Sequence, residues 1–416
     1  MARVLLETMP LVDLERLYDG HASALFAFLL TLTRNEADTR DLMQELFAKL
    51  ARQPVLLDGV RDERAFLLRL SHHAAIDAMR RRGTRDKNLE NPWATLFPHL
   101  AVVKRTAQLL RLKSSAELAA GHAEAALRDA TLMLRLVEAP ASEPTLISQL
   151  VRVACLHIAI QPVWEGLAQR RWSAAQLQTL QARLQQFDFI ADLKRVLEAE
   201  RAWGNLTIGM ARDKHTPTFS LSLVDSKAKT ASWQAEADRA FATCPREWFD
   251  AAQRNYNQLF EERLLTGFDV EARRFQPSVG EVNARFVATA VRDTANLVKD
   301  HLVFAKEFLV APSKVQLKLA NAQATVDFAV IACALERHRL ATGRYPETLA
   351  ALAPRYLRYL PHDLIDGQPL RYQGTDDGGF LLYSVGWNET DDHGTLAFLA
   401  SGRSTEIKDG DWLWRY

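Results

Sequence analysis

The sequence predicts a mainly α protein with an N-terminal helical bundle, a long all-α middle and a small α+β C-terminal unit carrying an antiparallel sheet. Three observations predict it. Apolar residues recur at three- and four-residue intervals through most of the first three quarters of the chain, the mark of helices buried on one face. Turn residues and alternating apolar positions replace that pattern near the C-terminus. A chain of 416 residues is also too long for one ordinary core. The expected divisions are 1–88, 89–320 and 321–416.

Residues 13–33 place Leu14, Leu17, Tyr18, Leu25, Phe28, Leu29 and Leu32 at helical intervals, which predicts one amphipathic helix. Residues 35–38, Asn-Glu-Ala-Asp, supply a turn and an acidic first turn suited to the positive end of the next helix. That helix turns Leu42, Leu46, Phe47 and Leu50 inward, and Asp41, Gln44, Glu45 and Ala48 share another face. After breaks at Gln53-Pro54 and Asp58-Gly59, a third helix is expected over 62–82, ending at Gly83. Its apolar set is Phe66, Leu67, Leu70 and Ala74, while Arg69, His73 and Arg80 stack on one face. Arg80, Arg81, Arg82, Arg85 and Lys87 then form a local basic patch.

These three linked patterns, Leu14-x-x-Leu17-Tyr18, Ala37-Asp38-x-x-Asp41-Leu42-x-Gln44-Glu45-x-Phe47 and Ala65-Phe66-Leu67 through Asp77 to Arg81, resemble region 2 of bacterial RNA polymerase sigma factors. The likeness is to the extracytoplasmic-function group and covers about residues 11–87. It implies that Asp41, Gln44 and Glu45 bind core RNA polymerase. It also implies that Arg64, His73, Asp77, Arg80, Arg81, Arg82 and Arg85 contact −10 promoter DNA. The family usually has Trp where this chain has Phe66, and Asn where it has His73. A helix-turn-helix reading the −35 element would normally follow, yet no paired-helix unit with a basic recognition helix is legible over 88–200.

The middle reads instead as amphipathic helices at 101–112, 115–136, 143–159 and 174–186, with Ser173 as an N-cap. The stretch 119–129 has the small-residue spacing of a packed helix pair, without a clean repeat. Helices interrupted by turns are expected to 320. A helix over 326–340 and strands within 366–372 and 379–385, joined by the turn 375–379, complete the chain. From Gly343-Arg-Tyr-Pro346 through Leu382-Tyr-Ser-Val-Gly386 to Asp411-Trp412 this end resembles the soluble part of type II secretion major pseudopilins. That likeness implies a calcium ion held by Asn388, Asp391 and Asp392, with Asp411 as a closer.

Hydrophobic residues at 48% and charged ones at 25% are enough for real cores and too little charge bias for disorder. A formal net charge of +1 excludes nucleic-acid binding by bulk charge and leaves only a local patch to do it. Cys155, Cys244 and Cys333 form no C-x-x-C pair or disulfide framework, which points to a reducing cytoplasm. Neither a signal peptide nor a membrane span is expected. No catalytic motif is legible, and no cofactor beyond calcium is implied. Two functions fit: a sigma-like initiation protein lacking region 4, or a non-initiating scaffold or decoy that binds polymerase or an anti-sigma partner.

Overall fold

The computed structural model describes residues 14–33, 36–57, 60, 62–82, 97–213, 244–280, 282, 299–398 and 405–415. The chain divides into two compact units, 1–99 and 100–416.

In the first unit, α1 (Leu14–Thr33), α2 (Glu36–Arg52) and α3 (Glu63–Arg82) follow one another, with a 3-10 turn at Pro54–Leu57 between the last two. Helical spacing gathers Leu17, Leu25, Leu29 and Leu32 of α1 against Leu42, Met43, Leu46 and Leu50 of α2 and Leu67 and Ala75 of α3. Each buried leucine contributes about 1.5–3 kcal/mol, so this interior is what holds three short helices together. The hydroxyls of Thr33 and Thr39 meet at 2.7 Å where α1 turns into α2. Arg16 ties α1 to α3 through two bonds to Glu63, Nη1 to Oε2 at 3.2 Å and Nη2 to Oε1 at 2.7 Å. Those bonds hold the Glu63 carboxyl below its ordinary pKa, against a small opposing effect of burial. Tyr18, expected inside, is half exposed and meets Phe47 edge to face at 5.0 Å.

The second unit is built from α4 (Pro98–Ala119), α5 (Ala123–Glu138), α6 (Leu146–Ala168), α7 (Ala174–Leu184), α8 (Phe189–Arg212) and α9 (Arg246–Leu259) around α10 (Val303–Thr342). The helix expected over 115–136 is two helices. Gly121 adopts φ +81, a left-handed cap that ends α4 with the His122 amide returned to Glu117 O at 2.8 Å. Ser173 caps α7 in a full capping box with Gln176.

The α10 helix runs 40 residues without a break, where the sequence suggested interrupted helices to 320 and a separate helix over 326–340. It packs against α6, α7, α8 and α9, and against strands of the C-terminal sheets. The expected division at 320/321 therefore falls inside one helix, and the helical middle and the α+β end share a unit. Ala320, Ala322, Ala324, Ala329, Ala332 and Ala334 are all buried, so neighbours approach closely on every side. A helix that is apolar all round belongs in an interior. By length and composition alone, Leu146–Ala168 and Val315–Thr342 are long and apolar enough to cross a membrane, a test that the buried core helix of a globular protein also meets. Their most apolar windows are 61% and 89% buried inside the protein.

Short strands complete the unit: β1 (Phe268–Asp269) with β2 (Arg274–Phe275), β3 (Arg371–Gly374) with β4 (Phe380–Ser384) and β7 (Trp412–Arg415), and β5 (Leu396–Phe398) with β6 (Thr405–Gly410). All pairs are antiparallel, and Arg371 faces Tyr383 across the β3–β4 hairpin. Every residue of β4 is buried: β3 and β7 pair along its two edges and α10 packs against it.

Several polar side chains enter this core, and most find partners there, although the Tyr356 hydroxyl and Trp414 Nε1 are buried without a hydrogen-bond partner among the described residues. Gln323 of α10 accepts the Phe189 amide at 2.9 Å and donates to Asp327 Oδ1 at 3.0 Å. Burial pushes the Asp327 carboxyl up to about 7; Gln323 and Arg273 oppose the rise, and Asp188 adds to it. Folding thus favours protonated Asp327, whereas the unfolded chain ionises it near its ordinary value. Its contribution to stability is whole below about pH 4 and is lost as pH rises to about 7. Urea midpoints across that range should fall more steeply for the parent than for Asp327→Asn. Parallel curves would show that Asp327 does not titrate with folding.

Candidate functional site

The α2 helix presents Asp41, Gln44 and Glu45 to solvent on the side away from Leu42, Met43, Leu46 and Leu50. Spacings of three and four residues make them neighbours, giving an acidic and amide-bearing ridge about one and a half turns long. The ridge is held by the leucine interior beneath it and by the Tyr18–Phe47 ring contact. Such a surface suits a partner rich in cations and hydrogen-bond donors.

The α3 helix splits the residues expected to meet DNA into two groups. Leu67, Ser71 and Ala75 are fully buried at four-residue steps and mark its inner stripe. Ser71 strengthens that side by donating from Oγ to Leu68 O at 2.9 Å. Measured from Ser71 in the middle of that stripe, positions 73, 77 and 80 fall about 200°, 240° and 180° round the helix axis, an outward row within about 60° of one another on its opposite half. Arg64, which is exposed, and position 82 lie in line with the stripe, at opposite ends of the helix and about 27 Å apart along its axis. The side chains of His73, Asp77, Arg80, Arg81 and Arg82 lie outside the described residues, as does the whole of Arg85. His72, next to the outward row, sits 6.4 Å from the Phe28 ring and is half-buried there.

In the C-terminal unit the acidic loop is held by its own hydrogen bonds. Asn388 Nδ2 donates to Asp392 Oδ2 at 3.0 Å, and Asp391 Oδ1 accepts the His393 amide at 2.9 Å. Asp411, on the neighbouring chain segment, accepts the Asp392 amide at 3.2 Å and the Gly394 amide at 2.6 Å. Burial raises the Asp411 pKa while those amides oppose it. Asp391 Oδ2 lies 3.7 Å from Arg371 Nε. The oxygens proposed for calcium are thus turned toward backbone amides, Asn388 and Arg371. No group of three His, Cys, Asp or Glu side chains is set to hold a metal among the described residues.

The sequence reading missed Asp363. This fully buried carboxylate accepts Ser384 Oγ at 2.8 Å, the Ile365 and Val385 amides at 2.9 and 3.0 Å, and Arg371 Nη1 at 2.9 Å. It joins the 363–367 turn to β3 and β4. It also missed Glu336, fully buried between Arg339 and the Tyr345 hydroxyl at 2.8 Å. Only the Asp-x-x-Asp-Gly turn motif of residues 363–367 hinted at the first.

Residues 17–85 match the family described as Sigma-70 region 2. Among curated proteins, the chain is similar to the ECF RNA polymerase sigma factor SigX of Bacillus subtilis (strain 168). The two are 31% identical over 68 residues, which is 16% of this chain and 35% of that protein. The chain thus spans about a third of the length of the relative it matches. No solved structure matches the chain. The N-terminal unit therefore carries a sigma region 2-like module, and the protein is sigma-factor-like over that part of its length.

Proposed function

We propose that this protein is a cytoplasmic, non-enzymatic transcription-initiation protein whose N-terminal unit binds core RNA polymerase and promoter −10 DNA without a region 4. The observation that carries the reading is the match of residues 17–85 on three helices whose outer α2 face exposes Asp41, Gln44 and Glu45. In this reading those three dock on polymerase. The row at His73, Asp77 and Arg80 meets the promoter strand, where arginines take phosphates and the shorter polar groups meet extruded bases. Arg64, Arg81, Arg82 and Arg85 add phosphate contacts around it. The helical and α+β parts of the second unit, the latter pseudopilin-like, take the place of a −35 reader.

A second reading is a polymerase-binding or anti-sigma-binding decoy that does not initiate. It is favoured by one observation: the family match ends at residue 85, and the matched stretch is only 35% of the sigma factor it resembles. Permanganate footprinting of −10 promoters with sigma-free core polymerase separates the two. Added protein should make −10 thymines reactive, whereas polymerase binding without reactivity would leave the decoy.

A further inference from the structure

Between positions 337 and 359 stand five arginines, Arg337, Arg339, Arg344, Arg355 and Arg358, against one acid, Glu347. Arg339 is engaged by buried Glu336. Two of the others converge on one ring: the Arg337 guanidinium lies 5.5 Å and that of Arg355 5.4 Å from the Tyr356 centroid. His338 meets the same ring edge-on at 5.7 Å. Gln181 of α7 fixes this group, donating to Tyr356 O at 2.8 Å and accepting from Arg337 Nη1 at 3.0 Å. Three residues on, the motif repeats: Arg358 lies 5.2 Å from the centroid of Tyr359, a tyrosine that is 71% exposed.

Two features of this surface are unfavourable in the isolated protein. Guanidinium groups gathered on one ring repel one another, an effect that cation–π attraction only offsets. Tyr359 leaves a large aromatic surface in water, with a guanidinium over the ring and most of the side chain still open. A polyanion removes the first cost, because stacked guanidiniums keep their N–H edges for phosphate oxygens. A flat apolar group removes the second. A nucleic-acid strand with unpaired bases brings both at the spacing of successive nucleotides.

We propose that the Arg337, Arg355, Tyr356, Arg358 and Tyr359 surface binds single-stranded nucleic acid, with the arginines on phosphates and Tyr359 stacking a base. The site lies in the C-terminal unit and does not rest on the reading given above for the N-terminal one. An acidic peptide would answer the arginines but has no use for the open tyrosine, and this separates the two ligands.

The test is fluorescence anisotropy of a labelled oligothymidine 20-mer with the full chain across a salt series, together with photo-cross-linking of a 5-bromouracil version mapped by mass spectrometry. Cross-links are expected within 355–359. Arg355→Gln with Arg358→Gln should flatten the slope of log affinity against log salt by about 1.4, two single-strand phosphate contacts. Tyr359→Ala should weaken binding about tenfold at fixed salt and leave the slope unchanged. Arg355→Lys with Arg358→Lys should keep the slope, which separates lost charge from misfolding. The proposal is overturned if the parent does not bind the oligomer, if cross-links fall only outside 337–359, or if the double glutamine variant and Tyr359→Ala match the parent. Competition by polyglutamate with no effect of Tyr359→Ala would also overturn it and indicate an acidic-peptide surface.

Discussion

Replacing Asp363 by alanine is expected to lower the stability of the C-terminal unit by about 3–5 kcal/mol, the scale of breaking a buried charged pair from one side. The carboxylate is fully buried and accepts four hydrogen bonds, two from amides, one from Ser384 and one from Arg371. Burial raises its pKa and those bonds oppose the rise, so they are what make an ionised group tolerable there. Alanine leaves two amides, a hydroxyl and a guanidinium short of a partner at the junction of β3 and β4. Arg371 retains Asp366, which limits the loss. Asp363→Asn keeps the shape and one acceptor oxygen and should cost less than alanine. Urea midpoints of the full-length variants check the order, and equal midpoints for parent, asparagine and alanine would contradict it.

Gly166→Ala should also destabilise this unit, by about 1–3 kcal/mol from overpacking, although alanine is the better helix former by about 1 kcal/mol. A β-carbon at Gly166 of α6 would stand 2.1 Å from Trp172 Nε1 and 2.3 Å from Cε2. The indole cannot step aside freely: Trp172 is 2% exposed and its Nε1 donates to Val163 O at 3.2 Å. The contact therefore outweighs the propensity gain. A double-mutant cycle with Trp172→Leu isolates it, since the alanine should cost much less once the indole is gone. Additive effects would mean that the clash is not what Gly166 avoids.

The N-terminal helices were legible because each writes a full apolar period over four or five turns, and the exposed ridge follows from that period. The α2 residues Asp41, Gln44 and Glu45 stand outside as expected. Tyr18 was misjudged because periodicity sees hydrophobic character and not the polar tip that lets a tyrosine lie at an edge. The break at Gly121 was hidden since small residues on both sides continue the helical pattern, and only the backbone angle reveals the cap. The length of α10 was underestimated for a related reason. A helix buried on all sides has no polar face, so it carries no amphipathic signal over much of its run. Asp363 was beyond reach because Ser384 and the Val385 amide reach it from 21 and 22 positions away, whereas Glu336 and the Asp327–Gln323 pair lie near their side-chain partners in sequence and only their burial was hidden.

The central claim is that the N-terminal unit is a polymerase-docking module with separate faces for polymerase and promoter. The most direct measurement is the affinity of sigma-free core polymerase for the full-length protein and two double variants. Asp41→Ala with Gln44→Ala should weaken binding by about tenfold or more, the effect of removing two central interface contacts. Arg80→Ala with Arg81→Ala should leave that affinity unchanged while weakening promoter contact. Parent-like binding by both variants, or no binding by the parent, would contradict the claim.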